Sequence, residues 1–215
     1  MDFSSPAIEA IFDRLVERHE RERTKMRALR AEGVDVNVDD YLLPVGPNVA
    51  RFLHSLILSQ RPQTVLELGT SYGYSTLVLA DAVSQSGGRL ITIEIADYKQ
   101  EHARGLINEA GLSEFVEFRC GDAVEMINAE PGPFNFVLLD IWKSLSVPCL
   151  ETLYPKLAAE GIIIADNIIE PESARDSARN YREAVKTYTD LQTTLIPIGS
   201  GIELSVRWPA GHSKL

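Results

Sequence analysis

Two cysteines in 215 residues, Cys120 and Cys149, exclude a disulfide framework and cannot by themselves build a zinc cluster. They read as small buried apolar residues in a reducing compartment, and no thiol chemistry is expected. Long apolar runs are also missing. The longest, such as Gly161-Ile-Ile-Ile-Ala165 and Phe136-Val-Leu-Leu139, fall far short of the ~18 residues that cross a bilayer, so no membrane partner is expected. Met1-Asp-Phe-Ser-Ser-Pro6 has neither the basic opening nor the apolar stretch of a secretory leader, and a cytoplasmic protein is expected. Positive charge is in deficit: 21 Lys and Arg against 31 Asp and Glu give a net charge of −10. Affinity for nucleic acid rests on neutralising phosphates, so a small-molecule partner is expected instead. The one dense charge run, residues 17–30, interleaves six Lys or Arg with Glu17, Glu20 and Glu22 and is predicted to be a solvated helix face. None of the four histidines ends an apolar run, so none is assigned to catalysis.

What is present is ample apolar material, 45% of the chain, enough for one domain with a substantial core. From Ile8 the apolar residues recur at Ile11, Phe12 and Leu15, then Met26 and Leu29, which predicts an amphipathic helix serving as a lid or interface. Breaks at residues 33–40 and at Pro44-Val-Gly-Pro47 precede a helix over 49–58. The expected organisation is an N-terminal helical segment 1–43, a catalytic domain 44–208 and a flexible tail 209–215. Within the domain, runs rich in β-branched residues at 64–68, 89–93, 116–119, 134–139 and 162–165 alternate with helical segments at 75–83, 98–110, 123–128, 147–157 and 174–188. Such alternation predicts a parallel, doubly wound α/β sheet. The last two runs, 191–196 and 202–207, are joined only by Pro197-Ile-Gly-Ser-Gly201, too short for a crossover helix, and should form an antiparallel hairpin.

In an open parallel sheet ligands bind beyond the carboxyl ends of the strands. The first run ends Glu67-Leu-Gly69-Thr-Ser-Tyr-Gly73-Tyr-Ser75, a turn in which Gly69 and Gly73 would let backbone approach a ligand, although a tight unliganded connection explains it equally. It is neither the G-x-G-x-x-G of a dinucleotide site nor a P-loop, which favours another nucleoside. Glu94 ends the second run about 20 residues later, where a carboxylate accepts hydrogen bonds from a ribose diol. Asp122 ends the third, and cap and adenine-edge roles weigh evenly. Asp140 with Lys143, and Asp166 with Asn167, end the fourth and fifth. As hard oxygen ligands on neighbouring strands, the two Asp and the Asn suggest Mg²⁺ or Ca²⁺. Each alone is better explained by a turn or cap.

From residue 44 to 207 these motifs, in order and spacing, resemble the class I S-adenosylmethionine-dependent O-methyltransferases, specifically the small metal-dependent group containing catechol O-methyltransferase. Val65-Leu-Glu-Leu-Gly69, Gly73-Tyr-Ser75, Asp140-Ile-Trp-Lys143, Asp166-Asn167 and Gly199-Ser-Gly201 carry the likeness. It implies a seven-stranded sheet whose final strand runs antiparallel. It makes Glu67, Gly69, Gly73 and Ser75 the surroundings of the cofactor's methionine part and Glu94 the ribose ligand, places Val45 and Gly46 where the family uses backbone from the N-terminal segment, and counts Tyr72 and Ile95 among the cofactor-binding residues. Asp122, Ala123 and Trp142 fall at the adenine, with Asp140 also bordering the cofactor. Asp140, Asp166 and Asn167 correspond to the metal ligands, Lys143 to the catalytic base. The implied acceptor is a small aromatic hydroxyl compound, catechol-like, and the implied assembly a homodimer. The chain departs from the catechol enzyme in having Ile141 where that enzyme has histidine, and no acidic residue between Leu191 and Ile198. Competing readings are an NAD-dependent oxidoreductase on a similar sheet, which lacks the dinucleotide glycines, a nucleic-acid methyltransferase, disfavoured by charge, and a non-catalytic cofactor-binding module, which would need none of the acids and Lys143.

Overall fold

The computed structural model describes residues 3–208, so the expected tail lies outside the described residues. Strands β1 (Thr64–Leu68), β2 (Arg89–Glu94), β3 (Val116–Cys120), β4 (Phe134–Leu139), β5 (Leu157–Ala165), β6 (Leu191–Ile196) and β7 (Ile202–Arg207) form one sheet in the order β3-β2-β1-β4-β5-β7-β6. The first five are parallel. β7 runs antiparallel to both β5 and β6, as the short hairpin loop requires. The α-helices among the described residues are α1 (Pro6–Ala31), α2 (Pro47–Gln60), α3 (Tyr74–Ser86), α4 (Asp97–Glu109), α5 (Ala123–Ala129), α6 (Ser146–Leu153) and α7 (Arg175–Thr187). The chain winds outward from β1 to β3 and then returns to β4 on the other side of β1. The crevice at that reversal is where such sheets bind ligands.

Side-chain alternation divides the core into two layers. Val65, Leu90, Phe136, Leu138, Ile162 and Ile164 face α1, α2 and α3, while Leu66, Leu68, Ile91, Ile93, Val137, Leu139 and Ile163 face α5, α6 and α7. Central strands buried on both faces read as continuous apolar runs, which is why they were legible. The N-terminal helix is continuous with this core: Ile8, Ile11, Phe12 and Leu15 pack into the first layer beside Tyr74 and Leu77. Burying each such side chain contributes roughly 1.5–3 kcal/mol, ample to hold the helix on the domain.

Four sequence expectations need correction. β5 begins at Leu157, earlier than expected, and α6 ends at Leu153, because Pro155 cannot continue a helix and a short 3₁₀ turn over Tyr154–Lys156 intervenes. Cys120 is exposed, being the last residue of the edge strand β3, whereas Cys149 is buried as expected. The charged face of α1 is only partly solvated: Arg18 pairs with Glu22 at 2.7 Å, and Glu22 also accepts the Leu42 backbone N–H at 2.6 Å. Those bonds fasten the segment ahead of α2 onto α1.

Candidate active site

Backbone hydrogen bonds continue one residue past each strand end and align the functional residues in a row. Gly69 N–H donates to the Ile93 carbonyl (2.9 Å), Asp140 to Leu68 (3.0 Å), Asp166 to Leu139 (3.1 Å) and Gly121 to Glu94 (3.0 Å). Asp140 thereby sits between the glycine turn and Asp166 at the switch point.

On the β1–β2 side, Glu67 lies on the same face as Val65 and is fully buried against the start of α3. Its carboxylate accepts from Ser75 Oγ, Thr76 Oγ1 and Thr92 Oγ1, each at 2.6 Å, and Thr92 is its register partner on β2. Burial pushes the Glu67 carboxyl up to about 7, against the three hydroxyls that favour its ionised form. Glu67 and Ser75 thus brace the turn from beneath. Gly69 has φ +103°, and a Cβ there would lie 2.1 Å from the Asp140 carbonyl oxygen; at Gly73, φ +90°, it would lie 2.9 Å from Ala103 Cβ. Close approach to protein therefore already requires both glycines, before any ligand is considered. Glu94 joins the same braced unit: Oε2 accepts from Ser71 N–H (2.9 Å) and Oε1 from Ala96 N–H (3.0 Å), leaving further lone pairs for an incoming donor. Asp122 caps α5, accepting from Val124 N–H (2.9 Å) and Glu125 N–H (3.1 Å). Ile95 is 71% exposed and Trp142 55%, so two large apolar side chains flank the crevice in solvent. Val45 is buried and Gly46, φ +84°, starts α2.

On the β4–β5 side the polar groups are not spoken for. Asp166 Oδ1 and Lys143 Nζ are buried without a hydrogen-bond partner, and Lys143 Nζ lies 3.8 Å from Asp140 Oδ1. Burial raises the Asp140 carboxyl above the ordinary range, with Lys143 opposing. Burial first, then the negative charge of Asp140, pushes Asp166 up to about 7, against the Asn167 N–H and Lys143. Two carboxylates that repel each other in a desolvated crevice are stabilised by a proton or a cation. Asn167 completes the edge with φ +56°, a left-handed conformation that asparagine tolerates. The residues after it are held by the β6–β7 loop, Ile168 N–H donating to Gly201 O and Ile169 N–H to Ser200 O, both at 2.9 Å. The donor set is two carboxylates and an amide; among the described residues no three His, Cys, Asp or Glu side chains gather as a metal cluster.

Tyr72, an expected member of the cofactor turn, is packed by side chains that no motif announced. Tyr72 packs edge-on to His102 with ring centroids 5.4 Å apart, under the Arg18 guanidinium 4.2 Å from its centre. Lys99 is buried and paired with Asp39 at 2.7 Å. Thr76 follows Ser75 as a second hydroxyl in the first turn of α3, a doublet that sequence could have offered. Thr92, an inward polar residue in an apolar strand, was a second available signal.

A doubly wound sheet with a braced nucleoside-type turn and an acid-and-lysine edge at its switch point defines a class of group-transfer enzyme. A family model described as O-methyltransferase matches residues 17–208, and the chain belongs to that family. It is 29% identical over 167 residues to the catechol O-methyltransferase of Niastella koreensis, covering 72% of this chain and 75% of that one. With the transmembrane O-methyltransferase of Propithecus coquereli it shares 33% identity over 144 residues, 63% of this chain, and the match spans only about half of that protein (52%). The fold is that of an O-methyltransferase from Streptomyces achromogenes solved with S-adenosylmethionine: TM-score 0.72 at 22% identity, over 96% of this chain and 91% of that one. Membership of this family sets aside the oxidoreductase reading. Among the described residues no helix is long and apolar enough to cross a membrane.

Proposed function

We propose that this O-methyltransferase moves a methyl group from S-adenosylmethionine to one hydroxyl of a small aromatic acceptor, a vicinal diphenol, with a divalent cation, Mg²⁺ or Ca²⁺, at Asp140, Asp166 and Asn167. The observation that carries the reading is the pair of buried, unpartnered polar atoms, Asp166 Oδ1 and Lys143 Nζ, beside Asp140 at the switch point. An enzyme that only bound a nucleoside would have no use for them, and leaving such groups unsatisfied costs about 1–3 kcal/mol each. The hard oxygen donors suit a divalent cation, and charge relief between Asp140 and Asp166 gives it a reason to bind.

A phenol with pKa near ~10 is a poor nucleophile at neutral pH. When bound, the cation would supply Lewis-acid lowering of that pKa, and S-adenosylmethionine the electrophilic methyl on its sulfonium. As a neutral amine Lys143 Nζ would take the hydroxyl proton, and as an ammonium it would hold the phenolate by charge. Glu94 receives the ribose hydroxyls with Ile95 next to it, the Gly69–Gly73 turn cradles the methionine part, and Ala123 and Trp142 border the adenine. Fixed positions for both reactants supply most of the acceleration through proximity and alignment, with no covalent enzyme intermediate. A homodimer is part of the same proposal, read out by light scattering as a mass near twice 23.8 kDa.

The test is transfer of labelled methyl from S-adenosylmethionine to a panel of vicinal diphenols and monophenols, with Mg²⁺ and then with EDTA, cofactor binding serving as the folded control. Diphenol methylation that EDTA removes is the expected result. Silence across the panel with intact cofactor binding would overturn the acceptor class, and turnover indifferent to EDTA would overturn the metal.

A further inference from the structure

A group of charged side chains surrounds Tyr72 at the rim of the crevice, where four elements meet. Lys99, from the first turn of α4, is buried, and its ammonium is bonded to Asp39 Oδ1 at 2.7 Å. Asp39 belongs to the short 3₁₀ turn Val38–Asp40, which follows α1 in the chain and is far less buried than its partner. The ammonium also lies 5.7 Å from the centre of the Tyr72 ring, and Arg18 covers that ring at 4.2 Å. The groups that act electrostatically on Lys99 are Asp39, Glu94 and Tyr98. Lys99 therefore has two carboxylates within reach of its field, and the present geometry commits it to Asp39. Asp39 and Arg18 belong to the N-terminal segment; Glu94 belongs to the cofactor crevice.

A buried ammonium does not stay unpaired. Without Asp39, Glu94 is a carboxylate whose field already reaches Lys99, and its two oxygens already hold the glycine turn and the start of α4 through Ser71 and Ala96. A third, charged donor would take the lone pairs a ribose needs. We propose that Asp39 is a positioning residue for cofactor binding, holding the Lys99 ammonium away from Glu94 so that Glu94 stays open to a vicinal diol. This rests on the assignment of Glu94 to the ribose made above. It gives the N-terminal segment a role in the cofactor site that its sequence, a 3₁₀ turn between two helices, does not announce.

The prediction is an epistatic one. Asp39→Asn should weaken S-adenosylhomocysteine binding, by calorimetry on the full chain, about tenfold or more, because it frees a buried charge. Lys99→Met should cost little alone, and Asp39→Asn with Lys99→Met should return affinity to within about threefold of Lys99→Met, since the two residues are coupled. The preference for S-adenosylhomocysteine over its 2′-deoxy analogue should shrink in Asp39→Asn and recover in the double variant. Thermal unfolding of each variant verifies that it is folded. Equal binding by Asp39→Asn and the parent, or a double variant no better than Asp39→Asn, overturns the proposal. The underlying assignment is judged separately by Glu94→Gln: if that variant keeps the diol preference, the ribose reading fails; if it loses the preference while Asp39→Asn does not, only the role of Asp39 fails.

Discussion

The two halves of the crevice are built on opposite principles. On the β1–β2 side every buried polar side chain of the turn has its partner: Glu67 takes three hydroxyls and Glu94 two backbone N–H groups. On the β4–β5 side Asp166 Oδ1 and Lys143 Nζ have no hydrogen-bond partner, and Lys143 only faces Asp140 at 3.8 Å. A satisfied network holds one shape and so presents a fixed cradle. An unsatisfied one is a reservoir of free energy that a substrate, proton or cation can release, and it belongs where bonds change.

The comparison breaks most visibly at the acids. Asp166→Ala and Asp140→Ala should bring EDTA-sensitive methyl transfer to background, with S-adenosylhomocysteine affinity staying within about threefold in Asp166→Ala, since oxygen ligands make the cation site and the cradle does not depend on Asp166; full turnover by either variant would sink the metal assignment. Next, Lys143→Ala should slow transfer by about 10²–10⁴-fold at neutral pH, with the deficit shrinking as pH approaches the phenol's own pKa of ~10. A loss that is the same at every pH would make Lys143 structural.

On the satisfied side the effects should fall on stability. Burial pushes the Glu67 carboxyl up to about 7 from the ordinary 4.5, so between those values the folded chain holds a proton the unfolded chain has released. Stability from this group is therefore present at low pH and falls as pH rises from about 4.5 through 7, then levels off. Glu67→Gln, which imitates the protonated carboxyl, should flatten that slope in melting temperature measured from pH 5 to 8; an unchanged slope assigns it elsewhere. The smallest effect is expected at Asp122, where loss of the α5 cap in Asp122→Ala should cost about 1 kcal/mol by denaturant unfolding. Any additional loss of cofactor affinity would show that the cap also touches adenine, sharpening a choice that sequence left even.

Most of the strand plan could be read from the chain, and Lys156 illustrates where reading stops. Its ammonium donates to the carbonyls of Ile127, Asn128 and Glu130 at 2.7–2.9 Å and closes the end of α5, a partnership separated by more than 25 positions with no local signature. Asp39 with Lys99, 60 positions apart, is of the same kind. Both glycines were found, but the reason for them was only half legible: the sequence pointed to a ligand, whereas the neighbouring backbone of Asp140 and the side chain of Ala103 already leave no room for a Cβ. The charged run of α1 misled for a related reason. Alternating signs at helical spacing look solvated whether or not a neighbouring segment lies across them, and here Leu42 and Tyr72 do.

The sequence alone determined the sheet, the hairpin and the residues at the strand ends, because periodicity, turn chemistry and connection length are local and each leaves a pattern in consecutive residues. Tertiary structure decided which polar groups are satisfied and which are left waiting. That depends on side chains converging from distant positions into a volume that excludes water, where a partner 2.6 Å away or absent changes a group's free energy more than its identity does.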